Sequence, residues 1–197
     1  MDDELTSMGK LGFHHFDQVP DLRTADLCKF RSIDKREWRR FVSCMWLYQR
    51  KNAVVLGPHG IGKTYLSAAF CHEAIQAGYS IRRTTHSNID RTIGRGIDEP
   101  FTNLLIVDDF LPALPNDDKD EQLWAFLADR HSHDAVMLIT TLPFHCWRLA
   151  DNPKLLRYAN AILMNSIILE IKTVPCTGMR APNYELGPLL RASFSAI

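Results

Sequence analysis

The feature that constrains this chain most is the octapeptide GPHGIGKT at residues 57–64. An apolar run, NAVVL, comes directly before it, and Leu66, Ala69, Phe70 and Ala74 follow at helical spacing. Glycines between a strand and a helix let successive backbone N–H groups face a phosphate at the helix N-terminus. The complete pattern GxxxxGK[ST] in this setting therefore predicts a phosphate-binding P-loop within an α/β fold.

The same residues predict how a nucleotide is held. The ammonium of Lys63 reaches the β- and γ-phosphate oxygens, and the hydroxyl of Thr64 ligates Mg²⁺. The other predicted nucleotide-binding residues are Gly57, Pro58, His59, Gly60, Ile61, Gly62 and Tyr65. ATP and Mg²⁺ are thus the expected cofactors.

Five short apolar runs alternate with helix-like stretches along the chain. They lie at residues 52–56, 80–85, 104–107, 135–140 and 167–171. This rhythm predicts a five-stranded parallel sheet with crossover helices, hence a three-layer α/β/α arrangement. A further helix is expected at residues 36–48, packed on the sheet. The acidic stretch at residues 117–121 is interpreted as a charged helix start rather than a metal site.

Polar residues end the third and fourth runs. NLLIVDDF closes on two aspartates, of which Asp108 is expected to hold Mg²⁺ through water and Asp109 to polarise the attacking water. The position of these residues, one helix and one strand after a P-loop, makes this the pattern of a Walker B strand. In ITT, Thr140 or Thr141 either meets the γ-phosphate or simply ends a strand.

The length and charge of the whole chain further limit its possible organisation and function. Its 197 residues are the size of one domain, and its 23 basic and 23 acidic side chains cancel. Any DNA contact must then come from a local patch, for which Arg82, Arg83, Arg91 and Arg95 are candidates; a solvated edge strand explains them as well. No signal peptide and no apolar run of about 20 residues is present, so a cytoplasmic protein without membrane contact is expected.

Four segments together resemble the IstB/DnaC-like branch of AAA+ ATPases across about residues 13–171: GPHGIGKTYLSAA, AGYSIRRTTHSNI, NLLIVDDFLP and ITTLPFHCW. The resemblance implies the AAA+ strand order, with the fourth strand between the first and third. It implies an ATPase that binds ATP or ADP, self-associates into a ring or filament on DNA, and regulates a transposase. Loading of a replicative helicase is the alternative partner role.

The resemblance also implies roles for single residues. Thr141 stands at the sensor 1 position, where Asn is usual, and Asp109 stands where Glu is common, so hydrolysis is expected to be slow. Arg157 is the best match for an arginine finger, although a surface arginine is the alternative; Arg148 and Arg130 come next.

The expected division of the chain is a tail at residues 1–12, an ATPase core at 13–172 and an extension at 173–197, with a reduced or absent C-terminal lid. Two other function classes stay open at this point. A small-molecule kinase would need a lid with catalytic arginines, for which no segment is found. A nucleotide-gated scaffold would bind ATP and barely hydrolyse it.

Overall fold

A computed structural model describes residues 22, 35–89, 93, 102–111, 118–147 and 153–171. The five strands are β1 (Asn52–Leu56), β2 (Ile81–Thr85), β3 (Leu104–Asp108), β4 (Ala135–Thr140) and β5 (Ser166–Glu170). The α-helices are α1 (Lys35–Val42), α2 (Met45–Tyr48), α3 (Lys63–Gln76), α4 (Asp118–His131) and α5 (Pro153–Leu163). Each predicted strand is present, with bounds that shift by one residue or less.

All strands run parallel in the order β2-β3-β4-β1-β5. The predicted fold class is confirmed, including the place of β4 between β1 and β3. Register brings the strand ends level: Leu56 pairs with Thr140 and with Glu170, while Thr85 pairs with Asp108. Parallel strands carry functional loops at their carboxyl ends, so these pairs mark the edge where a site is to be sought.

Two apolar clusters cover the two faces of the sheet. Alternate side chains of a strand point to opposite faces, so Val55 packs in one cluster and Val54 in the other. Helices α2 and α3 complete the first cluster through Trp46 and Phe70, and α4 supplies Trp124 to the second. The result is the predicted three-layer arrangement. Helix α3 packs on the face of the sheet to which Leu104 and Ile106 of β3 point.

The helix predicted at residues 36–48 is interrupted, and here the prediction was wrong. Cys44 has a φ of 55°, in the left-handed region, and separates α1 from α2. The turn lets the buried Trp46 donate a hydrogen bond from its indole nitrogen to Phe41 O at 3.1 Å. Burial of that ring, stacked on Phe41, favours the break over a continuous helix.

Within the described ranges, no helix is both long and apolar enough to cross a membrane. The predicted tail and the predicted C-terminal extension, with the question of a lid, lie outside the described residues.

Candidate nucleotide site

Two backbone carbonyls at the end of β4 hold the loops on either side of it. Thr140 O accepts a hydrogen bond from Gly57 N at 3.3 Å, and Ile139 O accepts one from Phe110 N at 2.8 Å. The first bond fixes the start of the P-loop and the second fixes the turn that follows Asp108 and Asp109. The two predicted motifs therefore meet at one edge of the sheet, and both are attached by hydrogen bonds to the end of β4.

Glycine is required where the P-loop leaves β1. A Cβ atom on Gly57 would lie 2.6 Å from Ile171 O, a distance at which real Cβ atoms are essentially never found. Gly62, with a φ of 101°, precedes the first residue of α3 in a conformation that other residues rarely adopt. It has no side chain to cap the helix, and the first turn of α3 holds no acidic residue. The positive end of the helix dipole thus faces the loop, which suits an anion.

Lys63 is folded into the loop that it follows. Its ammonium donates to Gly57 O at 2.8 Å and to Pro58 O at 2.9 Å, and the residue is only 9% exposed. Burial lowers the pKa of Lys63, while the charges of Asp108 and Asp109 act to raise it. The predicted phosphate-binding cation and the two predicted carboxylates are therefore electrostatic neighbours.

The two aspartates differ in exposure and in backbone conformation. Asp108 is 4% exposed, whereas Asp109 is exposed and has a φ of 50°. Asp109 N donates to Asp108 Oδ1 at 2.9 Å, a contact that the left-handed turn permits. The turn presents the Asp109 carboxylate at the surface of the site and keeps that of Asp108 inside, in keeping with their different predicted tasks.

The residues that could hold Mg²⁺ are Thr64 and Asp108. Each carboxylate oxygen has two acceptor sites. Asp109 N donates to Oδ1 of Asp108 and Arg83 Nη2 donates to Oδ2, which leaves capacity for a water in the shell of the ion. Among the described residues no group of three His, Cys, Asp or Glu could hold a metal. One carboxylate and one hydroxyl suit Mg²⁺, which takes its remaining ligands from water and phosphate.

Arg83 completes this charged group, although the sequence pattern favoured a place for it on a solvated edge strand or a basic stripe. Its guanidinium Nη2 lies 2.6 Å from Asp108 Oδ2, with the two side chains 16% and 5% exposed. Burial raises the pKa of the nearby Cys71 thiol, with the Arg83 charge opposing that rise and the Asp108 charge adding to it. The Arg83 and Asp108 pair therefore lies against α3, the helix that begins at Lys63.

The four arginines predicted to form a basic stripe are not placed alike. Arg82 and Arg83 are consecutive on β2, so their side chains leave opposite faces of the sheet. Arg91 and Arg95 lie outside the described residues. DNA contact by these arginines stays a prediction, and Arg83 has a partner inside the nucleotide site.

The two threonines after β4 are distinguished by burial. Thr140 is fully buried and its hydroxyl accepts a hydrogen bond from Leu142 N at 3.0 Å, which makes it a structural residue. Thr141 is partly exposed at the edge between the two motifs. Trp147 closes the following segment by donating from its indole nitrogen to Leu142 O at 2.9 Å. Of the two threonines, Thr141 is the one with an exposed surface, and its role beside the nucleotide stays a prediction.

The arginine-finger candidates are separated by their position. Arg157 is exposed on α5, whose buried side is formed by Ala159, Ile162 and Leu163. Arg130 instead bonds Thr102 and Asp134, ahead of the amino ends of β3 and β4 and thus at the opposite edge of the sheet. Arg148 lies outside the described residues. Of the two candidates that the structure describes, Arg157 is the exposed one.

The strand order, the phosphate loop after β1 and the aspartate pair after β3 define an AAA+ type P-loop ATP-binding protein. The chain belongs to the IstB-like ATP-binding protein family, whose model matches residues 4–177.

Curated relatives come from insertion sequences. An insertion sequence IS232 ATP-binding protein of Bacillus thuringiensis subsp. berliner is 32% identical over 175 residues, covering 80% of this chain and 65% of the relative. One from insertion sequence IS1162 of Pseudomonas fluorescens is 27% identical over 132 residues, covering 62% and 57%. The chain thus matches less than two thirds of the length of these two relatives.

Solved structures support the fold. The DnaC helicase loader is 16% identical with a TM-score of 0.52, over 78% of this chain and 97% of that one. AMPPCP-bound DnaA from Aquifex aeolicus is 15% identical with a TM-score of 0.55, over 80% and 51%. At such identities the likeness shows a shared fold alone.

Proposed function

We propose that this protein is an ATPase that assembles on DNA in its ATP-bound form and regulates a transposase. The observation that carries the proposal is the meeting of the P-loop, Lys63 and two aspartates at one sheet edge, in a chain whose relatives are described as insertion-sequence ATP-binding proteins. A helicase loader would use the same site residues, so the captured partner distinguishes these two roles. A scaffold that barely hydrolyses ATP is a third outcome.

The exposed position of Asp109 supports a role for its carboxylate as the general base in hydrolysis. Its carboxylate takes a proton from a water whose oxygen attacks the γ-phosphorus. The bond from that phosphorus to the bridging oxygen then breaks, giving ADP and phosphate. Lys63 stabilises the negative charge on the phosphate oxygens. Mg²⁺, held by Thr64 and through water by Asp108, would supply further neutralisation.

The proposal predicts that ATP, and not ADP, drives multimers that bind DNA with little sequence preference. The chain has no net charge, so a monomer offers little positive potential, and stacked subunits multiply a local patch. DNA affinity is measured against salt with ATP, ADP or no nucleotide, alongside sedimentation. Equal binding in all three states, or binding by a species that remains monomeric, would exclude this mechanism and favour the scaffold.

A pair of substitutions tests which arginines meet the DNA. Changing both Arg91 and Arg95 to Gln is expected to reduce the dependence of log affinity on log salt by about one for each phosphate that the protein no longer neutralises. The matched control changes the exposed Arg39 and Arg40 of α1 and is expected to leave the slope unchanged. ATP affinity is expected to stay constant in both. Equal slopes for the two double variants would show that Arg91 and Arg95 do not contact the DNA.

Arg157→Ala is expected to lower the ATPase rate by about 10³-fold without weakening ATP binding, because an arginine finger stabilises charge that develops only during transfer. The exposed position of Arg157 on α5 allows it to enter the site of a neighbouring subunit. Mixing this variant with Asp109→Asn protein should partly restore activity through composite sites. Absence of rescue at every mixing ratio would show that Arg157 does not act between subunits.

A further inference from the structure

The position of Arg83 differs from that of Lys63, the other cation at the site. Arg83 lies mid-way along the edge strand β2, opposite Ile106 of β3. Asp108 lies two residues further along β3. Residues two apart on a strand share a face, and Ile106 belongs to the cluster that packs against α3. Arg83 thus reaches the carboxylate from beneath the P-loop helix, along the sheet.

The contact is made where solvent screening is weak. The distance of 2.6 Å between Nη2 and Oδ2, with 16% and 5% of the side chains exposed, describes a charge-assisted hydrogen bond and not a solvated surface pair. Asp108 Oδ1 receives the backbone N–H of Asp109 at 2.9 Å. Both oxygens of the carboxylate are therefore bonded to donors that the protein itself holds in place.

The positive and negative side chains at this site are equal in number. The charged group contains two cations, Lys63 and Arg83, and two carboxylates, Asp108 and Asp109. A carboxylate already compensated by a guanidinium attracts a second cation less than a bare one does, because the two positive charges repel across a short distance. The same guanidinium adds positive potential to the site in which the triphosphate is expected to bind.

We propose that Arg83 is a positioning residue that competes with Mg²⁺ for the Asp108 carboxylate, so that this protein binds ATP with only a weak dependence on Mg²⁺. Arg83 neutralises Asp108 in the absence of the ion and has to share that carboxylate when the ion arrives. The inference rests on ATP binding at the P-loop, and it needs neither the hydrolysis nor the DNA assembly proposed above.

The measured quantity is a ratio of dissociation constants for ATP, the value in excess EDTA divided by the value in saturating Mg²⁺, obtained by calorimetric titration of the full chain. Arg83→Gln is expected to raise this ratio at least about fivefold over the parent. Without Mg²⁺, ATP loses a nearby cation; with Mg²⁺, the ion meets an uncompensated carboxylate. Arg83→Lys keeps the positive charge but loses the planar guanidinium with its several N–H donors, and it is expected to give an intermediate ratio.

Arg82→Gln is the matched control, since it makes the same change one residue away on the opposite face of the sheet, and its ratio is expected to equal that of the parent. A double-mutant cycle then tests the route: once Asp108 is changed to Asn, the part of the effect that comes from the uncompensated carboxylate is gone, so Arg83→Gln should raise the ratio by less than it does in the parent.

A ratio in Arg83→Gln that matches Arg82→Gln would overturn the inference while leaving ATP binding intact. Should Arg83→Gln fail to show a cooperative melting transition, the ratio in Arg83→Lys decides, and an unchanged value there overturns the inference too. A parent protein that binds no ATP under either condition would refute both this inference and the proposed function.

Discussion

ATP titrated into a Lys63→Ala variant is expected to bind at least about 100-fold more weakly than to the parent, a loss of about 2.7 kcal/mol or more. The change removes the cation predicted to meet the β- and γ-phosphates from a position that is only 9% exposed, where charge-assisted hydrogen bonds are strong. It also removes the bonds from the ammonium to Gly57 O and Pro58 O, which close the loop.

Lys51→Ala is the control for this experiment. Lys51 is an exposed lysine directly before β1, at the edge of the sheet away from the P-loop. ATP affinity and melting temperature should be those of the parent. Unchanged ATP affinity in Lys63→Ala would refute the assignment of the P-loop as the nucleotide site, whatever the control shows.

A second large effect is expected for Asp109→Asn, which should retain Mg·ATP and lose turnover by about 10²- to 10⁴-fold, the usual contribution of a general base. Asparagine is suited to this test because it tolerates the left-handed conformation that Asp109 adopts at a φ of 50°. The fold of the turn, and with it the hydrogen bond to Asp108, should survive the substitution.

Substitutions of two other aspartates serve as comparisons for Asp109→Asn. Asp108→Asn should instead weaken retention of Mg²⁺ first, since it removes the carboxylate at the buried position. Asp129→Asn, at an exposed position of α4, should change neither property. The readouts are the rate of phosphate release and the affinity for ATP with and without Mg²⁺. Hydrolysis at the parent rate in Asp109→Asn would exclude Asp109 as the base.

Local patterns explain how much of this molecule could be predicted from sequence. The strands that flank the P-loop and the aspartates are buried on both faces, so they are continuous apolar runs bounded by polar turns. Motif spacing then identified Lys63 and Asp108 as neighbours, because both follow strands of one parallel sheet. The order of those strands was implied by family resemblance, since periodicity contains no information on which strand lies beside which.

What escaped prediction depends on contacts between distant parts of the chain. The pattern around Arg83 predicts either a basic stripe for DNA or a solvated edge strand, yet its partner Asp108 is 25 residues further along. Asn52 gave no signal at all, although its side chain bonds Ile162 O and Val136 N and so joins β1 to two other elements. The break at Cys44 depends on where Trp46 finds its partner. None of these pairings is encoded in local spacing.

The close approach of Gly57 to Ile171 has a mechanical implication. Ile171 N donates to Leu56 O at 2.8 Å, so the polypeptide that leaves β5 does so within touch of the first residue of the P-loop. The start of the P-loop and the end of β5 are therefore packed directly against each other, so a displacement of one requires a displacement of the other. Any side chain at position 57 would have to push Ile171 away from Leu56, so the geometry of the phosphate loop and the pairing at the end of β5 cannot be altered independently.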